Sequence, residues 1–294
     1  MADDYQEWIE ELAARRPFGD GDRVGTANWI DAAARLRGAS SVETGTALSL
    51  ARPLQNHDSA RGDGRPGFAV ETYYSDGPIG MGSDHLELDC HGVVNTHLDA
   101  LNHIALHRTW YGGFAVDDPD APNVKDLAEH GLFTRGILLD IPRLRGSEWA
   151  DPERPVGADD FDGALEAAGV DFESGDALIV YMGRDRWERS GKDMVGARGR
   201  EAIPGIGRSG AEWIAEHAVS LLCWDFLDAY HDSQPAACVH LLNWAIGLVL
   251  VDNCDLGTVA ERLRSEGRAT GGLVVAPLAV PGATGCTVRP LLLV

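Results

Sequence analysis

A chain of 294 residues with 44% apolar and 24% charged side chains has the composition of a soluble globular protein. It is long enough for one large hydrophobic core or two small ones. Its 25 basic and 46 acidic residues leave a formal charge of −21, which repels nucleic acid and anionic membrane surfaces and favours a small-molecule substrate.

The opening MADDYQEWIEELAARRPFGD is acidic and amphipathic, without the positive region and apolar run of a secretory signal. No stretch approaches the eighteen apolar residues of a membrane span. The five cysteines (Cys90, Cys223, Cys238, Cys254, Cys286) are odd in number and contain no C-x-x-C pair. They read as free thiols in a reducing cytoplasm.

Residues 4–16 read as an amphipathic helix, followed by the turn-rich FGDGDRVGTANW. A helix over roughly 30–37 leads into the strand-like TALSLARPL. A polar loop at 55–67 precedes the strand-like FAVETYY and a glycine-rich turn at 77–82. Beyond a histidine-rich stretch, DLAEHGLF reads as a short helix and RGILLDIPRL as a buried strand. The pattern then alternates: helix DDFDGALEAAG, strand ALIVYMG, a long polar loop over 184–205, helix SGAEWIAEHA, strand SLLCWDF. A helix near VHLLNWAIG is followed by strand LVLVDN, helix LGTVAERLRSEG, strand GGLVVAPLAV and a final CTVRPLLLV. Helices alternating with short, continuous apolar strands define an α/β architecture with a mixed sheet and flanking helices. Residues 1–17 read as an N-terminal helical arm, and 18–294 as the main domain.

Residues 85–107, HLELDCHGVVNTHLDALNHIALH, hold five of the ten histidines, four of them at a step of six. The more informative spacing lies within THLDALNH. If HGVVNTHLD is extended, His97 and Asp99 project from one face, because strand side chains alternate with period two. If ALNHIALH then turns helical, His103 follows one turn after Asp99. Two imidazoles and a carboxylate form a ligand set for Zn²⁺, Mn²⁺ or Fe²⁺, too sparse for a closed structural zinc site. An open coordination position suits activation of water.

THLDALNH resembles the signature of the cyclase/kynurenine formamidase family, (G/H)-T-H-x-D-A-(P/L)-x-H. FGDGDRVGTANW is similar to the family's F-G-x-x-D-x-L-G-T-x-N segment. TRGILLDIPR, SGDALIVYMG and the region of His240 follow in the family's order, so the resemblance covers roughly residues 15–290. It implies a cyclase-like α/β fold of the swivelling β/β/α type. It also implies a divalent metal serving hydrolysis of an amide, formamide or lactone, and a homodimer or homotetramer. By the match, His97 and Asp99 are metal ligands and His103 is the general acid/base. His240 and Asp252 supply two further ligands at the family's spacing of eleven intervening residues, aspartate replacing glutamate. Asp252 falls at a strand end, a common place for a site in α/β proteins.

Two departures bear on the ion. The formamidase pattern has a ligand histidine where this chain has Val93. A subgroup with H-G-x-x-H-T-H is matched at His91 and Gly92 but not at Asn95. His91 then supplies the missing ligand, or the site holds a single ion; one ion, Zn or Mn, is preferred over two. Trp29, Tyr111, Phe114 and His231 are candidate substrate contacts. Gly205-Ile-Gly207-Arg-Ser-Gly210 formally matches G-x-G-x-x-G, but it follows a polar loop and Pro204, not a strand, and reads as a loop and helix start. No G-x-S-x-G elbow is present for a serine nucleophile. The reading is therefore a metal-dependent hydrolase. A metal-dependent cyclase or dehydratase is the first alternative, and a metal-free binding protein on the same scaffold the second.

Overall fold

The computed structural model describes residues 2–56, 67–197, 201–230 and 238–294. Thirteen strands run through them: β1 (Ala47–Ser49), β2 (Phe68–Tyr74), β3 (Gly82–Leu88), β4 (His97–Asp99), β5 (Leu132–Asp140), β6 (Ala177–Tyr181), β7 (Gly205–Ile206), β8 (Leu221–Trp224), β9 (Leu227–Asp228), β10 (Val249–Asp252), β11 (Thr270–Val275), β12 (Gly285–Thr287) and β13 (Leu291–Leu293). Nine of them form one mixed sheet in the order β1-β13-β11-β5-β6-β8-β10-β4-β12. The central β5, β6, β8 and β10 are parallel, and both flanks are antiparallel. The remaining strands make two small pairs, β2 with β3 and β7 with β9.

The central strands are continuous apolar runs because helices cover both faces. On one face, Leu139, Val180, Leu222 and Leu250 pack with Phe161 and Leu165, Trp213 and Ile214, and Leu242 and Ala245. These come from helices Ala158–Ala168, Arg208–Glu216 and His240–Ile246. The N-terminal helix Ala2–Ala14 adds Trp8, Ile9 and Leu12 to the same core and lies against His240–Ile246. On the other face, Leu138, Ile179, Cys223 and Val251 meet Leu127, Val259 and Leu263. Those side chains belong to helices Val124–His130 and Gly257–Glu266. The mixed α/β fold and its single domain agree with the sequence reading.

Several local readings are corrected. RGILLDIPRL is a strand only as far as Asp140; Ile141–Arg145 is a helix, capped by the Asp140 carboxylate on the Arg143 N–H, with Pro142 in its first turn. The polar stretch 184–205 contains helices Arg184–Arg189 and Met194–Ala197. Residues 100–107 form turns, not a helix. Of HGVVNTHLD only residues 97–99 pair as a strand, because side chains, not a strand ladder, take the carbonyls of Gly92, Val93 and Asn95. The G-x-G-x-x-G segment is β7 and the start of helix Arg208–Glu216. There a Cβ on Gly205 would lie 2.3 Å from the Leu227 carbonyl, so that glycine serves close packing.

Candidate metal centre

The parallel strands β5, β6, β8 and β10 end at the same edge of the sheet, and Asp252 closes β10 there. Antiparallel β4 enters beside it, with His97 opposite Asp252 and Asp99 opposite Leu250. Opposed residues share a face, and so do residues two apart. His97, Asp99 and Asp252 therefore point together, while Leu98 turns to the other core. Helix His240–Ile246 brings His240 over the same spot, where Gly247, in the left-handed region at φ +72°, ends the helix.

The ligand-type atoms converge closely. His97 Nε2 lies 3.4 Å from Asp99 Oδ1, and His103 Nε2 lies 3.6 Å from Asp99 Oδ2. His240 Nε2 is 3.1 Å from Asp252 Oδ2 and 3.8 Å from Asp99 Oδ2. Two donors sharing a tetrahedral ion lie roughly 3.4 Å apart, given bonds near 2.1 Å. Two overlapping sets, His91–His97–Asp99 and Asp99–His240–Asp252, each place their ligand atoms within 4.8 Å of one another. Asp99 belongs to both. Its Oδ2 is buried without a hydrogen-bond partner, an orphaned anionic oxygen among imidazole nitrogens. A buried, unpaired carboxylate oxygen is costly, so the residues present fit a divalent cation.

Neighbouring groups aim these atoms. The carbonyl of Asn95 lies 2.9 Å from His97 Nδ1. Asp228 pairs with His240 Nδ1, and the Trp224 indole N–H donates to Asp252 Oδ1 at 2.6 Å. In each case the ring nitrogen or oxygen left free faces the cluster, as in metal sites oriented by their surroundings. His91 is held differently, with Nδ1 2.9 Å from Asp99 Oδ1 and Nε2 2.8 Å from Thr284 Oγ1. Its ring stacks on His103 with centroids 4.1 Å apart. Gly285 makes room for that ring, since a Cβ there would lie 2.6 Å from His91 Cε1.

The charge pattern follows from burial and pairing. Burial alone would lower His91, but its hydrogen bonds to Asp99 and Cys90 hold it up at about 10. Burial also opposes a charged His240, yet Asp228 and Asp252 hold it well above the ordinary histidine range. Asp99 is buried but stays well below the ordinary carboxylate range through His91 and the neighbouring imidazoles. His103 is the exception. Burial pushes it down to about 4 in spite of Asp99, leaving a neutral imidazole at physiological pH.

A cavity of about 400 Å³ opens onto the cluster. His91, His97, His103, His240 and Asp252 line one side; Val93, Ile104, Met194, Ile203, Leu227 and Tyr230 make an apolar wall. Trp29, Tyr111 and Phe114 do not line it. Tyr111 is fully buried, its hydroxyl donating to Asp22 at 2.9 Å. Trp29 packs on Phe18, and Phe114 lies under the Arg23 guanidinium. His231 lies outside the described residues. Of the remaining histidines in the 85–107 stretch, His85 stands on β3 opposite Glu71, and His107 pairs with Glu10.

A mixed sheet with a His/Asp cluster gathered at the ends of its parallel strands makes this an α/β protein with a candidate metal centre. The family described as "Putative cyclase" matches residues 29–229, well over half of the chain, and the chain belongs to that family. A crystal structure of a novel cyclase superposes with a TM-score of 0.82 at 24% identity, covering 94% of this chain and 96% of that one. Isatin hydrolase A from Ralstonia solanacearum gives 0.60 at 18% identity, covering 84% and 90%. An isatin hydrolase bound to the product analogue thioisatinate gives 0.57 at 20%, covering 87% and 94%. These likenesses establish the fold. No curated protein sequence matches this chain. No helix among the described residues is long and apolar enough to cross a membrane.

Proposed function

We propose that this protein is a metal-dependent hydrolase that uses water to cleave an amide, formamide or lactone in a small substrate. The observation that carries this reading is the orphaned Asp99 Oδ2, buried where His97, His103, His240 and Asp252 meet. His97, Asp99, His240 and Asp252 hold one divalent ion, zinc or manganese, with His91 as a further donor next to Asp99. When bound, such an ion supplies Lewis acidity that acidifies water and polarises a carbonyl.

The chain's own groups do the rest. His103, neutral through burial, accepts a proton at Nε2 and returns it to the leaving group. Trp224 and Asp228 keep Asp252 and His240 turned towards the centre. Val93, Ile104, Ile203 and Leu227 present an apolar wall that takes the body of a small substrate and excludes bulk water. The isatin hydrolases among its structural neighbours support hydrolysis as the reaction type. Five free cysteines, four of them buried, support a reducing cytoplasmic location.

Elemental analysis of the purified chain, paired with turnover in ¹⁸O-labelled water, tests this reading. The expected result is about one equivalent of zinc or manganese, ¹⁸O in the product, and loss of turnover by about 100-fold or more in His103→Ala. A product free of ¹⁸O would move the chemistry to cyclisation or elimination. A chain that takes up neither metal would overturn the metalloenzyme reading.

His91→Ala tests the place of His91. It removes the ring from Asp99 and Thr284 and leaves the β4–β12 backbone pairing untouched. Metal affinity is expected to fall roughly tenfold while the far-UV circular dichroism stays that of the wild type. Unchanged affinity would remove His91 from the donor set.

A further inference from the structure

A second cavity, of about 330 Å³, opens beside the end of β5 and shares no lining residue with the one at the metal centre. The sheet itself creates it. β11 pairs with β5 only as far as Thr270 opposite Ile137, with one further bond from the Leu138 N–H to the Ala269 carbonyl at 2.7 Å. β5 runs on to Asp140, so its last residues have no strand beside them on that flank. Helices Ile141–Arg145, Ala158–Ala168 and Gly257–Glu266 bracket the gap. The side chains they turn into it include Ala164, Ala167, Ala168 and Ala260, and their methyl groups leave open what a leucine would fill.

Three arginines stand around this apolar floor, Arg143, Arg264 and Arg268, against a single lining acid, Asp140. That reverses the balance of a chain whose net charge is −21. The three are held differently. Arg264 is occupied by Asp140, its Nε at 3.2 Å and its Nη2 at 2.5 Å from Oδ2. Arg268 donates to the Ser41 carbonyl at 2.9 Å, and its Nη1 lies 3.4 Å from the carboxylate of the exposed Glu43. An ion pair with so exposed an acid is weak in water. Arg143 is exposed on its helix, and its guanidinium has no partner among the described residues.

We propose that this cavity binds a small monocarboxylate with an apolar body, at a site separate from the metal centre. A guanidinium fork matches a carboxylate in plane and holds it by two parallel hydrogen bonds. Arg143 is the guanidinium free to make that pair, and Arg268 adds positive potential beside it. One free fork suits one negative charge. A dianion such as a phosphate monoester would meet Asp140 with Arg264 already occupied. Leu138, Leu144 and the alanine methyls take the apolar body. The volume stands at the lower end of the roughly 300–1,000 Å³ of small-molecule sites, which fits a single ring or a short branched chain. None of this depends on how the metal centre is read.

Benzoate titrated into the full chain, labelled at its alanine methyl groups for NMR, tests the proposal. The methyl resonances of Ala164 and Ala260 are expected to shift and to saturate with a dissociation constant of about 1 mM or tighter. Ala229, which lines the metal-centre cavity, reports binding there instead. Arg143→Met is expected to weaken the Ala164 and Ala260 response at least about tenfold, and benzamide, neutral and of the same shape, to bind weaker by a similar factor. Ala167→Leu fills the cavity and is expected to abolish the response. Arg143 and Ala167 are both exposed, so each variant should keep the far-UV circular dichroism of the wild type. Shifts confined to Ala229, or no shift at about 10 mM benzoate, overturn the proposal. So does wild-type affinity in Arg143→Met or for benzamide.

Discussion

Asp99→Asn is expected to weaken divalent-metal binding by at least about 100-fold and to bring hydrolysis down with it. Asp99 is the one residue common to both ligand sets, and it is fully buried. Its Oδ1 holds His91 at 2.9 Å and lies 3.4 Å from His97, while its Oδ2 faces His103 and His240 without a hydrogen bond. Asparagine keeps the volume and one acceptor oxygen. It removes the negative charge, and its amide group occupies a position that needs a donor atom for the cation. The metal-free chain loses less, because its fold rests on the two apolar cores flanking the sheet. A cost of about 1–3 kcal/mol is expected there, mainly from His91 losing its charged partner. Titration calorimetry with Zn²⁺ or Mn²⁺, together with thermal unfolding of the metal-free protein, separates the two effects. Wild-type affinity in this variant would remove Asp99 from the centre.

The parts of this site that were legible in the sequence are those fixed by local periodicity. His97 and Asp99 share a face because they are two apart on a strand, and Asp252 ends a strand whose apolar run marks it as central. His103 reaches Asp99 through a turn and not through the helix its spacing had suggested; what mattered was proximity along the chain. Asp228 and Trp224 carry no ligand spacing of their own, because their partners, His240 and Asp252, are set by tertiary packing. Thr284 and Gly285 carry no local signal at all. They matter because β12 pairs with β4 and puts Gly285 opposite Asp99.

Sequence proximity also misled. Tyr111 and Phe114 follow His103 closely, yet the chain turns away and packs Tyr111 against Gly247 and Asp22. β3 escaped notice because GSDHLEL is poor in β-branched residues, and its strand character comes from its pairing with β2. The polar composition of 184–205 concealed Arg184, whose charged side chain is 2% exposed. A buried arginine inside a polar stretch has no periodic signature, because its partners come from distant parts of the chain.

Arg184→Met is expected to be the most damaging substitution outside the ligand set. Burial and the nearby Arg52 lower the guanidinium to about 10, so it remains charged at neutral pH. It donates to the Val93 carbonyl at 2.5 Å, Asn253 Oδ1 at 2.7 Å, the Asp225 carbonyl at 3.0 Å and Glu188 Oε1 at 2.7 Å. Asn253, anchored in this way, donates in turn to the carbonyls of Gly92 and Asn95. The bends between His91 and His97 are therefore held by two side chains from other parts of the fold. Methionine fills much of the space but supplies none of the donors, and among the described residues it leaves Glu188 with only Arg52 as a cationic partner. Breaking one side of a buried charged network costs about 3–5 kcal/mol. In a chain of this size that is a fall of roughly 10 °C in melting temperature. Because Val93 and Asn253 position the segment that carries His91 and His97, metal affinity should drop roughly 10–100-fold in protein that still folds. Arg184→Lys keeps the charge but not the planar fork, and should fall between the two. A methionine variant melting within about 2 °C of the wild type and binding metal equally well would show that Asn253 and the β4–β10 pairing hold the segment unaided.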